Sequence, residues 1–224
     1  MNADAPTTFP STPTTITWVP FTASVMSILG MPPQVQMLIS NAQTTSAIPT
    51  TYASVHFRSR LEARWANFLD RLAIPWEYEP FDLNGYIPDF VLPLTTPVLI
   101  EVKPELYFSR LHEYVRKILN SAWQYDAIIV GAKIWQHVEG SADMGLAILG
   151  FSIQSLDSPP LETPCVAYVC SVCHEVSFLH LDGIWFCMRC GYANGDHNIS
   201  SEITYESILP IWKESGNTVQ WRGR

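Results

Sequence analysis

Residues 86–104 read YIPDFVLPLTTPVLIEVKP. Two apolar runs, IPDFVL and VLIEVK, flank the Pro-bounded PLTTP, which predicts two strands joined by a loop centred on Thr95. A symmetric loop pairs residues whose numbers sum to 190, so Leu92 faces Val98 and Asp89 faces Glu101. Directly opposite residues share a sheet face, and side chains alternate with period two. The register therefore puts Asp89, Glu101 and Lys103 together on one face, with Val98, Ile100 and Val102 turned to an apolar core. A slip of one residue would destroy this grouping. Charges inside such runs are costly to bury, so their presence calls for a chemical or electrostatic reason.

Working outward, Leu61, Trp65, Phe68, Leu69 and Leu72 recur at helical spacing after Ser59, which predicts a helix from that point. IPWEYEPF follows as a strand, and LNGY as a turn, since Asn-Gly accepts the positive φ of tight hairpins. A second helix is expected over about 105–123, with Leu111, Val115, Ile118, Leu119 and Ala122 on its apolar face. YDAIIVGAKIW and LAILGFSIQ read as further buried strands. The order helix, three strands, helix, strand predicts a mixed α/β core with helices covering the sheet. Residues 1–50 are Thr- and Pro-rich and nearly uncharged, and read as an irregular arm. The core is expected over 51–158, with LDSPPLETP at 156–164 as a linker. A small cysteine-bearing unit follows at 164–195, then a tail at 196–224.

Two close carboxylates repel, and a divalent cation relieves the repulsion. Oxygen ligands suit Mg²⁺ or Mn²⁺. A metal polarises a phosphoryl oxygen and lowers the pKa of its bound water, and an adjacent lysine can position that water or stabilise charge on the phosphate. These are the parts of phosphodiester hydrolysis. The plain alternative is a cross-strand carboxylate–lysine pair on a solvated face.

The wider stretch FRSRLEARWANFLDRLAIPWEYEP…GYIPDFVLP…VLIEVKPE resembles the PD-(D/E)XK nuclease superfamily over roughly residues 56–135. It is similar to the small nucleases of phages and mobile elements and to the catalytic domain of Tn7-type transposon endonucleases. The matching positions are Glu62 on the helix, Pro88-Asp89, and Glu101-Val102-Lys103. The resemblance implies a restriction-endonuclease-like core, metal ligation by Asp89, Glu101 and the Val102 carbonyl, and Lys103 as the base-side catalytic residue. It also implies a metal or water-orienting role for Glu62. SRLE, residues 59–62, is equally a capping box, and that reading stays open beside the catalytic one. Tyr78 and Tyr86 read as packing residues, Gln124 as a polar loop residue, and Arg110 and Lys117 as weak candidates for phosphate contacts.

Of five cysteines, Cys170-x-x-Cys173 and Cys187-x-x-Cys190 form two knuckles thirteen residues apart, and Cys165 is left over. Two such pairs complete a tetrahedral thiolate site for structural Zn²⁺. FLHL-DG-IWF is the hairpin expected between them, and Gly191 sits where positive φ is often needed. His174 and His180 are not expected as ligands, because four thiolates close the site. The unit resembles a zinc ribbon.

Nearly half the residues are hydrophobic and 15% are charged, which favours a packed core over disorder. No apolar run is long enough to span a bilayer, and the N-terminus has no secretory pattern. A cytoplasmic protein without membrane association is expected, or one in the host cytoplasm if phage-encoded. The net charge of −8 disfavours nonspecific coating of nucleic acid. Two functions fit these features. The first is a Mg²⁺-dependent endonuclease acting on DNA. The second is a non-catalytic module that binds nucleic acid or a protein partner through the ribbon or the N-terminal arm. A homodimer is open under either.

Overall fold

The computed structural model describes residues 47–136, 145–154, 161–181, 186–193 and 199–220. The expected N-terminal arm lies outside them except for its last four residues, of which Thr50 opens a strand. Strands β1 (Thr50–Tyr52) and β2 (Val55–Phe57) form a small antiparallel hairpin. Helix α1 (Arg60–Arg71) follows, capped by Ser59, whose hydroxyl accepts the Glu62 N–H at 3.1 Å. This places one of the helix's orphan donors. The expected stripe is buried at Trp65, Phe68, Leu69 and Leu72, with Leu61 packed at its margin.

Next come β3 (Glu77–Tyr78), β4 (Phe90–Leu92), β5 (Val98–Val102), β6 (Ala127–Trp135), β7 (Ile148–Gln154), β8 (Leu161–Cys170), β9 (Val176–His180) and β10 (Ile199–Glu202). They make one eight-stranded mixed sheet in the order β10-β8-β7-β6-β5-β4-β3, with β9 also paired to β8. Only the β5–β6 pairing is parallel, and the others are antiparallel. The sheet is curled. His180 at the end of β9 lies three strand spacings from β6, about 14 Å in a flat sheet. Yet its Nε2 is 3.0 Å from Oδ2 of Asp126, which immediately precedes β6.

The β4–β5 pairing is Phe90↔Ile100, Val91↔Leu99 and Leu92↔Val98, the register expected for a loop centred on Thr95. The LNGY turn also forms, with φ of 57° at Asn84 and 86° at Gly85. Several expectations need correction. IPWEYEPF contributes only two strand residues, because Glu79 turns the chain through a φ of 44°. The second helix is a 3-10 turn, Phe108–Tyr114, continuing into α2 (Val115–Leu119). Tyr107 at its start provides no side-chain cap, and Leu119 and Ala122 face solvent. The face of β5 that carries Glu101 is not solvated. Leu99 on that face is covered by Leu111, Val115 and Ile118 of the 3-10 turn and α2.

The largest correction concerns the cysteine-bearing segment. Residues 161–164 of the expected linker open β8, which pairs with β7 from Leu161 to Val166. Polar and Pro-rich composition is a local signal, whereas this pairing is made by β7 from outside the segment. The strand thus runs across the expected boundary between 158 and 164. The hairpin partner of β9 is β8, through Cys165↔His180 to Val169↔Val176, and not IWF. Phe186 is in no strand, and Asp182, Gly183, Ile184 and Trp185 lie outside the described residues. In the tail, α3 (Tyr205–Val219) packs on α1. Trp212 stands 4.7 Å from the Trp65 ring centroid and 5.5 Å from that of Phe68. The Arg64 guanidinium lies 3.7 Å over Trp212 and donates to its carbonyl.

Candidate functional site

The carboxylates of Asp89 and Glu101 are both buried, at 3% and 2% exposure. Regular pairing of the hairpin ends at Phe90, and one residue further the Asp89 side chain takes over: its Oδ2 accepts the Val102 N–H at 2.7 Å. Its Oδ1 accepts from the Arg58 guanidinium at 2.7 Å, and Arg58 Nε also meets Glu79 at 2.6 Å. Glu101 Oε1 receives Lys103 Nζ at 2.5 Å, with Lys117 Nζ at 3.6 Å, while Oε2 accepts the Tyr86 hydroxyl at 2.8 Å. Lys103 and Glu101 meet because they are two residues apart on one strand.

Glu62 reconciles its two readings. It supplies the N–H that Ser59 caps, and Ser59 Oγ donates to its Oε1 at 2.8 Å. Its Oε2 accepts the Tyr78 hydroxyl at 2.6 Å, and that same phenol accepts the Arg58 N–H at 3.1 Å. The cap therefore also joins Glu62 to the Arg58–Asp89 pair. Val102 is buried in the core on its side chain and binds Asp89 through its N–H.

Sequence reasoning missed the roles of Arg58, Tyr78, Tyr86 and Lys117. The tyrosines do pack, but each also aims its hydroxyl at a site carboxylate. Burial and the neighbouring Glu101 carboxylate push the Tyr86 phenol up, and burial and Glu62 push Tyr78 up to about 12. Both therefore stay protonated donors at neutral pH. Arg58 carries no sequence signal beyond preceding the cap residue, whereas Lys117, a weak candidate for phosphate contacts, stands 3.6 Å from the Glu101 carboxylate. Gln124 is exposed in the loop after α2. Arg110 faces Glu105 and Glu113, which leaves it outside the site.

Burial first, and then the Glu101 carboxylate, raise the Asp89 pKa from 3.8 to about 6, against the opposing pull of Lys103 and the Val102 N–H. The folded protein therefore holds this proton more tightly than the unfolded chain. Ionising Asp89 costs stability progressively from about pH 4 to about pH 6 and in full above that, on the order of 3 kcal/mol. Without added divalent metal, the stability of wild type relative to Asp89→Asn is expected to rise as the pH falls from 7.5 to 4, because only the wild type gains by protonation; Asn offers one oxygen to two donors, Arg58 and the Val102 N–H, so the change with pH and not the order at one pH is the readout. Thermal melts at the two pH values check this; a relative stability that stays constant or falls in acid would contradict it.

Hard oxygen donors that repel each other fit a divalent cation in chemical type. In this structure protein cations and phenols already hold them. Among the described residues, Cys170, Cys173, Cys187 and Cys190 are the group of three or more potential ligands whose donor atoms all lie within 4.8 Å of one another. Glu62, Asp89 and Glu101 do not form such a group.

The four sulfurs could hold a metal ion such as zinc. Cys170 and Cys190 are 3.9 Å apart, and Cys173 and Cys187 3.8 Å. The first knuckle turns through His174 (φ 58°) and the second through Gly191 (φ 72°), as expected for the latter. Burial opposes a Cys187 thiolate, but the N–H groups of Cys190 and Arg189 outweigh it and bring the thiol down to about 7. Burial pushes the neighbouring Cys173 thiol up to about 12 and the Cys190 thiol up as well, so these two do not share the depressed value of Cys187. His180 is engaged with Asp126. The second knuckle rests on the body of the protein: Thr95 Oγ1 donates to the Arg189 carbonyl at 2.6 Å, and Arg189 donates to the Ala73 carbonyl at 2.7 Å.

Among the described residues, no helix is long and apolar enough to cross a membrane. No family model, curated protein or solved structure matches the chain.

Proposed function

We propose that this protein is a divalent-metal-dependent nuclease that hydrolyses DNA phosphodiester bonds, built on a restriction-endonuclease-like core with a structural zinc site. The observation that carries the reading is the buried Asp89–Glu101 pair at the end of the β4–β5 hairpin, with Lys103 on Glu101. A sheet needs no such pair for stability, since burying two like charges costs free energy that apolar residues would not. The residues present suit Mg²⁺ or Mn²⁺ held by Asp89, Glu101 and the Val102 carbonyl. Bound there, the cation would supply Lewis-acid polarisation of a phosphoryl oxygen and acidify a water.

The chain's own groups have distinct tasks. Lys103 sets the charge beside Glu101 and is placed to orient the attacking water. Tyr86 holds the second oxygen of Glu101 and fixes the rotamer of its carboxylate. Arg58 neutralises Asp89 and is more than half exposed, so its guanidinium can turn to a phosphate once another cation takes over that carboxylate. Glu62, held by Ser59 and Tyr78, adds negative charge beside Arg58.

The second reading is a non-catalytic module that binds nucleic acid or a protein. In its favour, the three carboxylates do not converge on a common point. Incubation of the purified full chain with supercoiled, linear, single-stranded and branched DNA, with Mg²⁺ or Mn²⁺, separates the two. Metal-dependent nicking of any of them supports the enzyme. Binding without cleavage in either metal supports the module.

A further inference from the structure

Phe81, Trp123 and Tyr125 form a short run of rings on the surface. Phe81 stacks on Trp123 with centroids 6.0 Å apart and planes inclined 26°, and Tyr125 meets Trp123 edge-on at 5.4 Å. Phe81 and Tyr125 are 40% and 47% exposed. Trp123 borders the start of β5. Trp123 Nε1 donates to the Asp126 carbonyl at 2.9 Å, and the Leu99 N–H donates to that same carbonyl at 3.1 Å. Glu101 lies two residues along β5, roughly 7 Å away and on the same face as Leu99. From Phe81 the chain runs through the LNGY turn to Tyr86, whose hydroxyl is on Glu101 and whose ring carries the exposed Lys117 ammonium at 4.7 Å.

The charge balance decides what such a surface suits. The chain has 13 basic residues against 21 acidic ones. Several of the basic residues are committed: Arg64 to Trp212, Arg71 to Glu214, Arg189 to Glu175. Arg58, Lys103 and Arg110 also face carboxylates, and the chain's net charge is −8, so phosphate contacts alone are a poor basis for strong affinity. Stacking depends little on net charge, and one stacked base contributes a factor of about 5 to 150 in affinity. Bases in a duplex are stacked on one another, so only unpaired bases can offer a face to these rings.

We propose that Phe81, Trp123 and Tyr125 are a platform for unpaired nucleobases, and that the substrate presents a single-stranded stretch to the site, with Lys117 on its phosphates. This rests on the nuclease reading for its account of what happens next, but binding can be measured apart from cleavage. The experiment uses the full chain with its cysteine-bound metal retained and no added Mg²⁺. Fluorescence anisotropy compares a labelled single strand, an abasic strand of the same length and charge, and the matching duplex.

The single strand is expected to bind about tenfold or more tighter than the abasic strand. Phe81→Ala/Tyr125→Ala should lose that advantage while leaving abasic binding and the salt dependence unchanged. Phe81→Leu/Tyr125→Leu keeps an apolar surface without π-faces and should lose it too. Both sites are exposed, and circular dichroism checks the fold. Equal binding of the base-bearing and abasic strands would overturn the proposal, as would full retention by the leucine variant. If the wild type cleaves duplex but shows no base-dependent binding, the platform falls and the nuclease stands. If base-dependent binding appears and no metal supports cleavage, the nuclease reading falls and the platform stands.

Discussion

If the four-cysteine group holds zinc, as proposed, loss of that metal is expected to destabilise the whole sheet and not only the two knuckles. Cys170 ends β8, and β8 is the strand to which β7, β9 and β10 all pair. Met188, inside the second knuckle, is 1% exposed and belongs to the same apolar core as Trp65 and Phe90. Its N–H donates to Ser177 of β9 at 3.2 Å. Arg189 ties the knuckle to Ala73 beyond α1 and, through Thr95, to the loop of the hairpin that bears Asp89 and Glu101. Without metal, nothing links the four close sulfurs, and these contacts lose their anchor. Structural zinc sites contribute on the order of 10 kcal/mol in isolated peptides. Even a third of that would lower Tm by on the order of 10 °C in a chain of this size. Cys187→Ser should show this drop in thermal melts. It should also weaken the near-ultraviolet dichroism of the buried tryptophans, and raise hydrogen exchange in the β4–β5 hairpin. A variant that melts at the wild-type temperature with unchanged exchange in that hairpin would show the cysteine group to be peripheral.

The other large effect is expected at Lys103. Its ammonium is the closest cation to Glu101, and its side chain is only 17% exposed. Lys103→Ala removes that charge but leaves Glu101 with Lys117 at 3.6 Å and the Tyr86 hydroxyl. The fold should therefore survive. Nucleic-acid binding should change by a few-fold, because one contact among several is lost. Cleavage should fall by about 100-fold or more, since the charge matters most when negative charge builds on the phosphate. Lys103→Arg should restore only part of the activity: the guanidinium is wider, planar and never neutral, so it meets Glu101 and the Tyr114 ring with a different geometry. Binding and Mg²⁺-dependent nicking are measured side by side, with circular dichroism as the control for folding. A folded Lys103→Ala that nicks at the wild-type rate would rule out the chemistry proposed for this lysine.

What could be read directly from the residues was what depends on short-range geometry. The β4–β5 register followed from the symmetry of PLTTP and the period-two alternation around it, so the approach of Asp89 to Glu101 was legible in advance. The Ser59 cap, the buried stripe of α1 and the Asn84-Gly85 turn are equally local, because each is set within one turn or one loop. The grouping of the four cysteines was legible from spacing, since two C-x-x-C knuckles match a tetrahedral thiolate site better than a single redox pair. Tertiary structure decided the rest. Nothing within the Pro-rich 156–164 segment announces that residues 161–164 will pair with β7, because the hydrogen bonds come from a strand outside it. The partners of the site carboxylates come from across the chain: Arg58 lies 31 residues before Asp89, and Tyr86 fifteen before Glu101. A carboxylate buried by folding must find donors, but which donors reach it is settled by how α1, the LNGY turn and α2 pack around the curled sheet.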